Sequence, residues 1–305
     1  MIDYKKIIKS RRLRLAILNF LSFIPDEWMI KIQYRIKTGR KLNLQNPQRF
    51  TEKMQWYKLF YRDPLMKTCV DKYDVRGYIK SLGLEAILNE CYGVFDNAED
   101  VDFNQFPQKF VLKDTLGGGG TSVIICNNKT EANLKNYRVQ MRRWIHSSTG
   151  KNFGREWVYE NRKHRIIAEK FIDSIPEKGG LIDYKFMCFQ GKVNFVIVLA
   201  DRIMGVSAGC GLFDVDFNRL PCNELDETPL TRDVPKPSNY NEMIKIAEKI
   251  SSRFPLVRVD LYNQNGAILF GEMTFFDSSG YQLYNPDSFD FELGKKFNLP
   301  DKINL

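Results

Sequence analysis

Leu256-Val257-Arg258-Val259-Asp260-Leu261-Tyr262, the turn Asn263-Gln264-Asn265-Gly266, and Ala267-Ile268-Leu269-Phe270-Gly271-Glu272-Met273 decide the reading of this chain. Two short apolar runs flank a turn that contains Asn-Gly, which predicts an antiparallel hairpin. Side chains two apart share a face, so Arg258 and Asp260 point the same way. Folding back at Asn265-Gly266 brings Asp260 opposite Glu272 or within a residue or so of it. Two carboxylates in a strand pair repel unless cations lie between them. Hard oxygen ligands of this kind suit Mg²⁺, which takes one or two protein carboxylates plus substrate phosphates. An arginine beside them suits a phosphate or acyl-phosphate oxygen. Taken alone, most such hairpins are simply exposed charged faces.

Upstream, Asn239 to Phe254 predicts a helix with Met243, Ile244, Ile246, Ala247 and Ile250 on its apolar side. Tyr184 to Phe189 and Lys192 to Leu199 predict a second hairpin around Gln190-Gly191, and Ile166 to Ile172 a strand. Residues 201–238, rich in Gly, Pro, Asn and Asp, read as a long loop with short pieces of structure. Phe110 to Lys113 and Ser122 to Cys126 are strands around a glycine run, and residues 130–146 are helical. Asp71 to Leu82 reads as a helix ended by Gly83, and residues 1–60 as helices broken at Asn43 to Pro47. The class is α+β, with antiparallel hairpins after a helical start.

The charge is unevenly placed. The 305 residues hold 46 Lys and Arg against 37 Asp and Glu, a net charge of +9. Residues 1–50 hold twelve of the basic residues and three of the acids, so the whole surplus lies there and the rest of the chain is neutral. That argues against a nucleic-acid binder basic throughout. Six scattered cysteines without a CxxC pair, and two histidines, His146 and His164, argue against a zinc site or a disulfide framework and suit a reducing cytoplasm. No apolar run reaches the roughly 20 residues of a membrane span. Arg14 to Ile24 follows the basic cluster Lys5 to Arg14, and Ile7, Ile8, Leu13, Ala16, Ile17 and Phe20 recur at helical spacing. The favoured reading is a core-packing helix with a solvated basic side; the competing one is an amphipathic helix on an anionic membrane surface.

The glycine run Gly117 to Gly120 follows the strand that holds Lys113. Glycine-rich backbone lets N–H groups approach phosphates, although this is neither a Walker A loop nor GxGxxG. Lys113 within an apolar strand needs a partner, and Glu169 stands in a similar setting.

Asn46-Pro47, Phe50-Thr51-Glu52-Lys53-Met54-Gln55-Trp56, Asp71-Lys72-Tyr73, Asp183-Tyr184-Lys185-Phe186, Val257-Arg258-Val259-Asp260-Leu261-Tyr262 and Gly271-Glu272-Met273-Thr274-Phe275 follow one another in order. This succession resembles the TupA-like ATP-grasp proteins of bacterial surface-polysaccharide gene clusters, over nearly the whole chain. The resemblance implies an ATP-grasp fold, two α+β subdomains clasping ATP, preceded by a helical segment. It divides the chain into 1–65, a helical extension facing substrate or membrane; 66–165, the subdomain with the glycine loop; and 166–305, the subdomain with the magnesium site.

The implied roles follow by position. Lys72 and Lys113 contact the ATP phosphates, and Gly118, Gly119, Gly120, Thr121 and Ser122 form a lid over them. Glu169 reaches the adenine amino group while the backbone of Lys170, Phe171 and Ile172 binds its edge. Asp183 holds the ribose hydroxyls, with Lys185 beside it in the cofactor site. Asp260 and Glu272 ligate two Mg²⁺ ions, with Thr274 where many relatives have Asn as a third ligand. Arg258 stabilises the transferring phosphoryl group or the acyl phosphate, with Lys113 as its catalytic companion. The activity implied is ATP-dependent carboxylate–amine ligation through an acyl phosphate, on a uronic acid or an amino acid bound for a surface polysaccharide. The expected partners are a sugar-linked carboxylate and an amine, without nucleic acid. The expected location is cytoplasmic, peripheral at the inner membrane face. Two alternatives stand beside it: a nucleotide-sugar glycosyltransferase using Asp214-Val215-Asp216, and a non-catalytic nucleotide-binding adaptor.

Overall fold

The computed structural model describes residues 10–118, 120–147, 152–173, 180–203 and 207–303. Lys5, Lys6 and Lys9 of the basic cluster, Ile7 and Ile8 of the apolar spacing, and Gly119 of the glycine run lie outside the described residues.

The helical start consists of Arg11–Phe20, Asp26–Thr38 and Phe50–Phe60. The second helix has Asp26 and Glu27 in its first turn, Arg35 and Lys37 in its last, and a left-handed Gly39 at its end, which suits the helix dipole and a glycine cap. Glu52 fastens the break before the third helix by accepting from the N–H groups of Gln48 at 2.9 Å and Arg49 at 3.1 Å. The favoured core role for the first helix is overturned: Leu13, Ile17 and Phe20 are exposed, as are Phe23 and Trp28 beyond it. The apolar spacing was read correctly as a helix, but the apolar side chains named here have no layer over them.

The helix read over Asp71 to Leu82 starts only at Val75 and ends at Ser81, and a separate short helix, Leu65–Val70, precedes it. Asp71 makes the break, because its carboxylate accepts from the N–H groups of Tyr73 at 2.9 Å and Asp74 at 3.0 Å, a turn that competes with helix. Lys72 therefore sits on a turn, with its own N–H donated to the Thr115 carbonyl at 2.9 Å.

Strands β1 (Cys91–Phe95), β2 (Phe110–Asp114), β3 (Val123–Cys126) and β4 (Ile166–Lys170) form an antiparallel sheet in the order β1-β4-β2-β3. Helix Leu134–Ile145 covers one face, with Met141 and Trp144 meeting Phe103, Phe106, Phe110, Leu112 and Ile124. Alternation along β2 buries Phe110, Leu112 and Asp114 and turns Val111 and Lys113 the other way.

The second sheet contains β5 (Asp183–Phe189), β6 (Lys192–Ile203), β7 (Ser207–Phe213), β9 (Thr228–Pro229), β10 (Leu256–Gln264) and β11 (Ala267–Thr274), in the order β11-β10-β5-β6-β7-β9. A short ladder joins β8 (Asn223–Glu224) to β12 (Tyr284–Asn285). Residues 201–238, read as a long loop with short pieces of structure, contain β7, a seven-residue strand of the sheet, besides the short β8 and β9. The two glycines of β7 are packing residues, since a Cβ on Gly209 would stand 2.9 Å from Leu230 Cδ1 and one on Gly211 would stand 3.1 Å from Leu230 Cδ2.

Helix Tyr240–Ser251 covers one face of this sheet through Met243, Ile246, Ala247 and Ile250. The Phe50, Phe189 and Phe297 rings, with centroids 5.3–6.2 Å apart, tie the third helix and the chain's end to the same core. Burying each such ring contributes roughly 1.5–3 kcal/mol. Asp290 of helix Ser288–Lys296 accepts from the Thr51 N–H at 2.9 Å and its hydroxyl at 2.8 Å.

Candidate active site

Residues of both large sheets line a cleft of about 1580 Å³. A pocket for one drug-sized molecule is typically about 300–1,000 Å³, so the space exceeds what one such molecule needs. Lys113, Val111 and Val123 line it from the first sheet, and Asp183, Lys185, Arg258, Asp260 and Glu272 from the second.

Strand register builds the charged wall. Asp260 stands opposite Lys185 on β5 and opposite Glu272 on β11, so the three form one row across adjacent strands. A bulge directly after Asp260 shifts the register before Leu261. Val257, Val259 and Leu261 face the core, which leaves Arg258 and Asp260 on the cleft side, as the alternation predicted. The Arg258 guanidinium donates to both oxygens of Asp260, at 2.7 and 2.8 Å, and to Glu272 at 3.2 Å. Its remaining nitrogen is bonded to Asp277. Lys185 donates to Asp260 at 2.5 Å and lies 3.8 Å from Asp183.

Lys72 reaches this wall from its turn. Its ammonium lies 3.3 Å from Glu272 and donates to the Gly117 carbonyl, which links the glycine run to the hairpin. Burial raises the Glu272 carboxyl, but Lys72, Lys185 and Arg258 outweigh it and hold the group at about 2. Lys113 donates to Glu169 at 2.7 Å. Burial pulls its ammonium down, and Glu169 more than compensates, leaving it above the usual lysine value.

The remaining candidates fall into place around these. Gly118, Gly120, Thr121, Lys170, Phe171, Ile172 and Thr274 line the cleft, and Thr274 stands opposite Arg258. Glu169 and Ser122 are set back from the lining; Glu169 touches the cleft through Lys113. Gly117 has to be glycine, because a Cβ there would meet Ser122 Cβ at 2.6 Å. Asp214 caps its own turn, accepting from the Asp216 N–H at 3.0 Å and the Asn218 N–H at 2.7 Å. Neither it nor Asp216 borders the cleft.

Three lining residues escaped the sequence reading. His164, counted there only in the argument against a zinc site, bonds Asp114 at 2.8 Å. Asp277 holds the far side of Arg258. Glu224 is buried on the β8–β12 ladder, and its Oε1 has no hydrogen-bond partner. The acidic clump Glu224-Leu225-Asp226-Glu227 was the available signal.

The donor chemistry suits a hard cation. Among the described residues that line the cleft, eight acids, Asp260, Glu272 and Asp277 among them, outnumber Lys72, Lys113, Lys170, Lys185 and Arg258. No group of three or more His, Cys, Asp or Glu that could hold a metal occurs among the described residues. The paired Asp260 and Glu272 match the one or two carboxylates that Mg²⁺ takes when phosphates supply further oxygens.

The TupA-like ATP-grasp family model matches residues 52–298. The chain belongs to this family. Its fold is the α+β ATP-grasp fold with a helical N-terminal segment. No functionally curated protein matches it significantly. Among solved structures it is similar to D-alanine–D-alanine ligase from Bacillus anthracis, at 16% identity and a TM-score of 0.44 over 75% of this chain and 67% of the ligase. It is also similar to L-amino acid ligase from Bacillus licheniformis, at 15% identity and a TM-score of 0.42 over 70% of this chain and 42% of the ligase. A third is N5-carboxyaminoimidazole synthetase from Staphylococcus aureus complexed with ADP, at 12% identity and a TM-score of 0.40 over 78% of this chain and 54% of the synthetase. The chain thus spans about half the length of the last two.

Proposed function

We propose that this protein is an ATP-dependent ligase that joins a carboxylate to an amine through an acyl phosphate. The observation that carries the reading is the Arg258–Asp260–Glu272 constellation facing the same cleft as Lys72, Lys113 and the glycine run. In this reading residues 66–165 and 166–305 are the two clasping subdomains. Lys72 and Lys113 bind the nucleotide phosphates, with Gly118 to Ser122, Gly119 included, as the lid. Lys170 to Ile172, Glu169, Asp183 and Lys185 hold the nucleoside.

Asp260 and Glu272, with Thr274 beside them, would hold magnesium, two ions in our reading. Bound there, magnesium supplies neutralisation of the phosphate oxygens. Arg258 offers directed donors to an oxyanion on the transferred phosphoryl group or the acyl phosphate. The side chains position reactants and balance charge, so no protein nucleophile is required.

The family resemblance suggests the substrates: a uronic acid or another sugar-linked carboxylate, and an amino acid or simple amine, in assembly of a surface polysaccharide. The exposed Phe20, Phe23 and Trp28 and the basic surplus of residues 1–50 support peripheral contact with an anionic membrane, hence a site of action at the inner face of the membrane. Among the described residues no helix is long and apolar enough to cross one. A glycosyltransferase reading finds less support, because the Asp214 and Asp216 carboxylates lie away from the cleft.

ADP release measured across a panel of uronic acids and amines, with the amide identified by mass spectrometry, tests the reading. Stabilisation by ATP and Mg²⁺ but not by UDP-sugars is expected in thermal-shift measurements. The reverse pattern would replace the ligase reading with the transferase. ATP binding without ADP release across the panel would favour the adaptor.

A further inference from the structure

Glu224 is a buried acid that the preceding reading leaves without a task. It is 8% exposed, borders the cleft, and keeps Oε1 without a hydrogen-bond partner. A buried polar atom of this kind is costly unless something completes it. The β8–β12 ladder holds its backbone, with Glu224 opposite Tyr284 and the Leu225 N–H donated to Leu283. Glu227, exposed at the rim, and the buried Asp277 border the same part of the cleft. Asp277 is bonded to Arg258, which turns its charge toward the group assigned to the acyl phosphate.

We propose that Glu224, with Asp277 beside it and Glu227 at the rim, receives the ammonium group of the amine substrate. An ammonium has three donors and no acceptor, and the open Oε1 of Glu224 is its natural partner, with the charges of Asp277 and Glu227 in support. Magnesium demands near-octahedral oxygens at close range, whereas Asp277 is already engaged by Arg258. Burial, together with the nearby Asp277, pushes the Glu224 carboxyl up to about 8, as expected for an acid placed to meet a cation. The position also suits the chemistry. The ammonium yields one proton to Glu224, and its nitrogen attacks the carbonyl carbon beside Arg258. The C–N bond forms as the carbon–oxygen bond to phosphate breaks, and a second proton leaves on the hydrogen phosphate.

This inference rests on the ligase reading for the identity of the nucleophile, but its test does not require turnover. The probe is 1,4-diaminobutane, followed by saturation-transfer NMR on the full-length protein at ionic strength balanced with sodium chloride. The wild type is expected to bind it, with Glu224→Gln weakening binding at least tenfold and Glu227→Gln two- to fivefold. Gln keeps the shape of the side chain, and the melting temperature of each variant reports its folding; Glu227 lies on the surface, where substitution spares the core. Absence of binding to the wild type, equal binding to all three proteins, or displacement of the probe by millimolar Mg²⁺ without nucleotide would overturn the ammonium site. If the probe binds through Glu224 while no amine supports ADP release, the ligase reading fails and the cation site stands.

Discussion

Asp260 lies directly opposite Glu272 across β10 and β11, and the Arg258 guanidinium holds both carboxylates. Removing either acid leaves Arg258 and its lysine neighbours with less negative charge to balance them, in a wall that faces phosphates on the proposed reading. Asp260→Asn and Glu272→Gln are each expected to lower ADP release by on the order of 10³-fold, several kcal/mol of charge stabilisation. Wild-type turnover by the Asp260→Ala/Glu272→Ala double variant would sink the metal assignment.

Lys72 ties Glu272 to the glycine run. Lys72→Ala is expected to weaken ATP binding by about tenfold or more, one charge-assisted contact, as read by calorimetry. It also removes the ammonium that does most to hold the Glu272 carboxyl at about 2 against its burial. In the protein without nucleotide or magnesium, Glu272 should then titrate at a higher pH, as read by carboxyl-resolved NMR. An unmoved titration would show that Lys72 does not set the Glu272 charge.

Glu224 gives stability a pH dependence of opposite sense. Its folded carboxyl sits near 8, above its ordinary value of 4.5, so between those values the native state binds the proton and the unfolded chain does not. Stability from this group falls as pH rises through that window, by an amount on the order of a few kcal/mol. Glu224→Gln has no such carboxyl to ionise. Its melting temperature relative to wild type should climb from pH 5 to pH 9, and a constant difference would contradict the burial argument.

Gly294 lets the helix Ser288–Lys296 lie against the start of the helix Phe50–Phe60. A Cβ at this position would sit 2.0 Å from the Gln48 carbonyl oxygen. Gly294→Ala forces the two elements apart and should cost about 1–3 kcal/mol or more, read as a lower urea midpoint. An unchanged midpoint would mean that the two elements do not need this close approach.

Phe20, Phe23 and Trp28 stand exposed beyond the basic start of the chain. Replacing all three with Ser is expected to reduce sedimentation with phosphatidylglycerol vesicles at least tenfold, since each exposed aromatic contributes roughly 1 kcal/mol or more when it enters the lipid interface. Phosphatidylcholine vesicles should bind neither protein. Deleting residues 1–14 should weaken binding through lost charge, about 1 kcal/mol per basic residue near the surface. If neither change moves the anionic-vesicle signal, the N-terminal charge is a solvated face.

The hairpin was legible because its turn residues and its alternation agree: Asn265-Gly266 sets the reversal, and Arg258 and Asp260 share a face. Lys113 was legible as a lysine in an apolar strand that needed a partner, and Glu169 is that partner. Other features depend on contacts that no local pattern encodes. Asp71 turns its carboxylate onto the amides of Tyr73 and Asp74, so the helix read from Asp71 begins only at Val75. The Gly209 and Gly211 signal resembled a loop because Leu230, distant in sequence, is what makes glycine necessary. Glu224 lay within a turn-rich stretch, and only the β8–β12 ladder brings it into the cleft beside Asp277.

The Lys72–Glu272 pair means that the protein carries its own stand-in counter-charges. A phosphate that recruits Lys72 takes a partner from Glu272, and a cation that satisfies Glu272 frees Lys72 for a phosphate. Each event removes the other's penalty. On the proposed reading, nucleotide and magnesium affinities are therefore linked through this one contact, each raising the other by the same factor, and Lys72 is where that coupling can be broken.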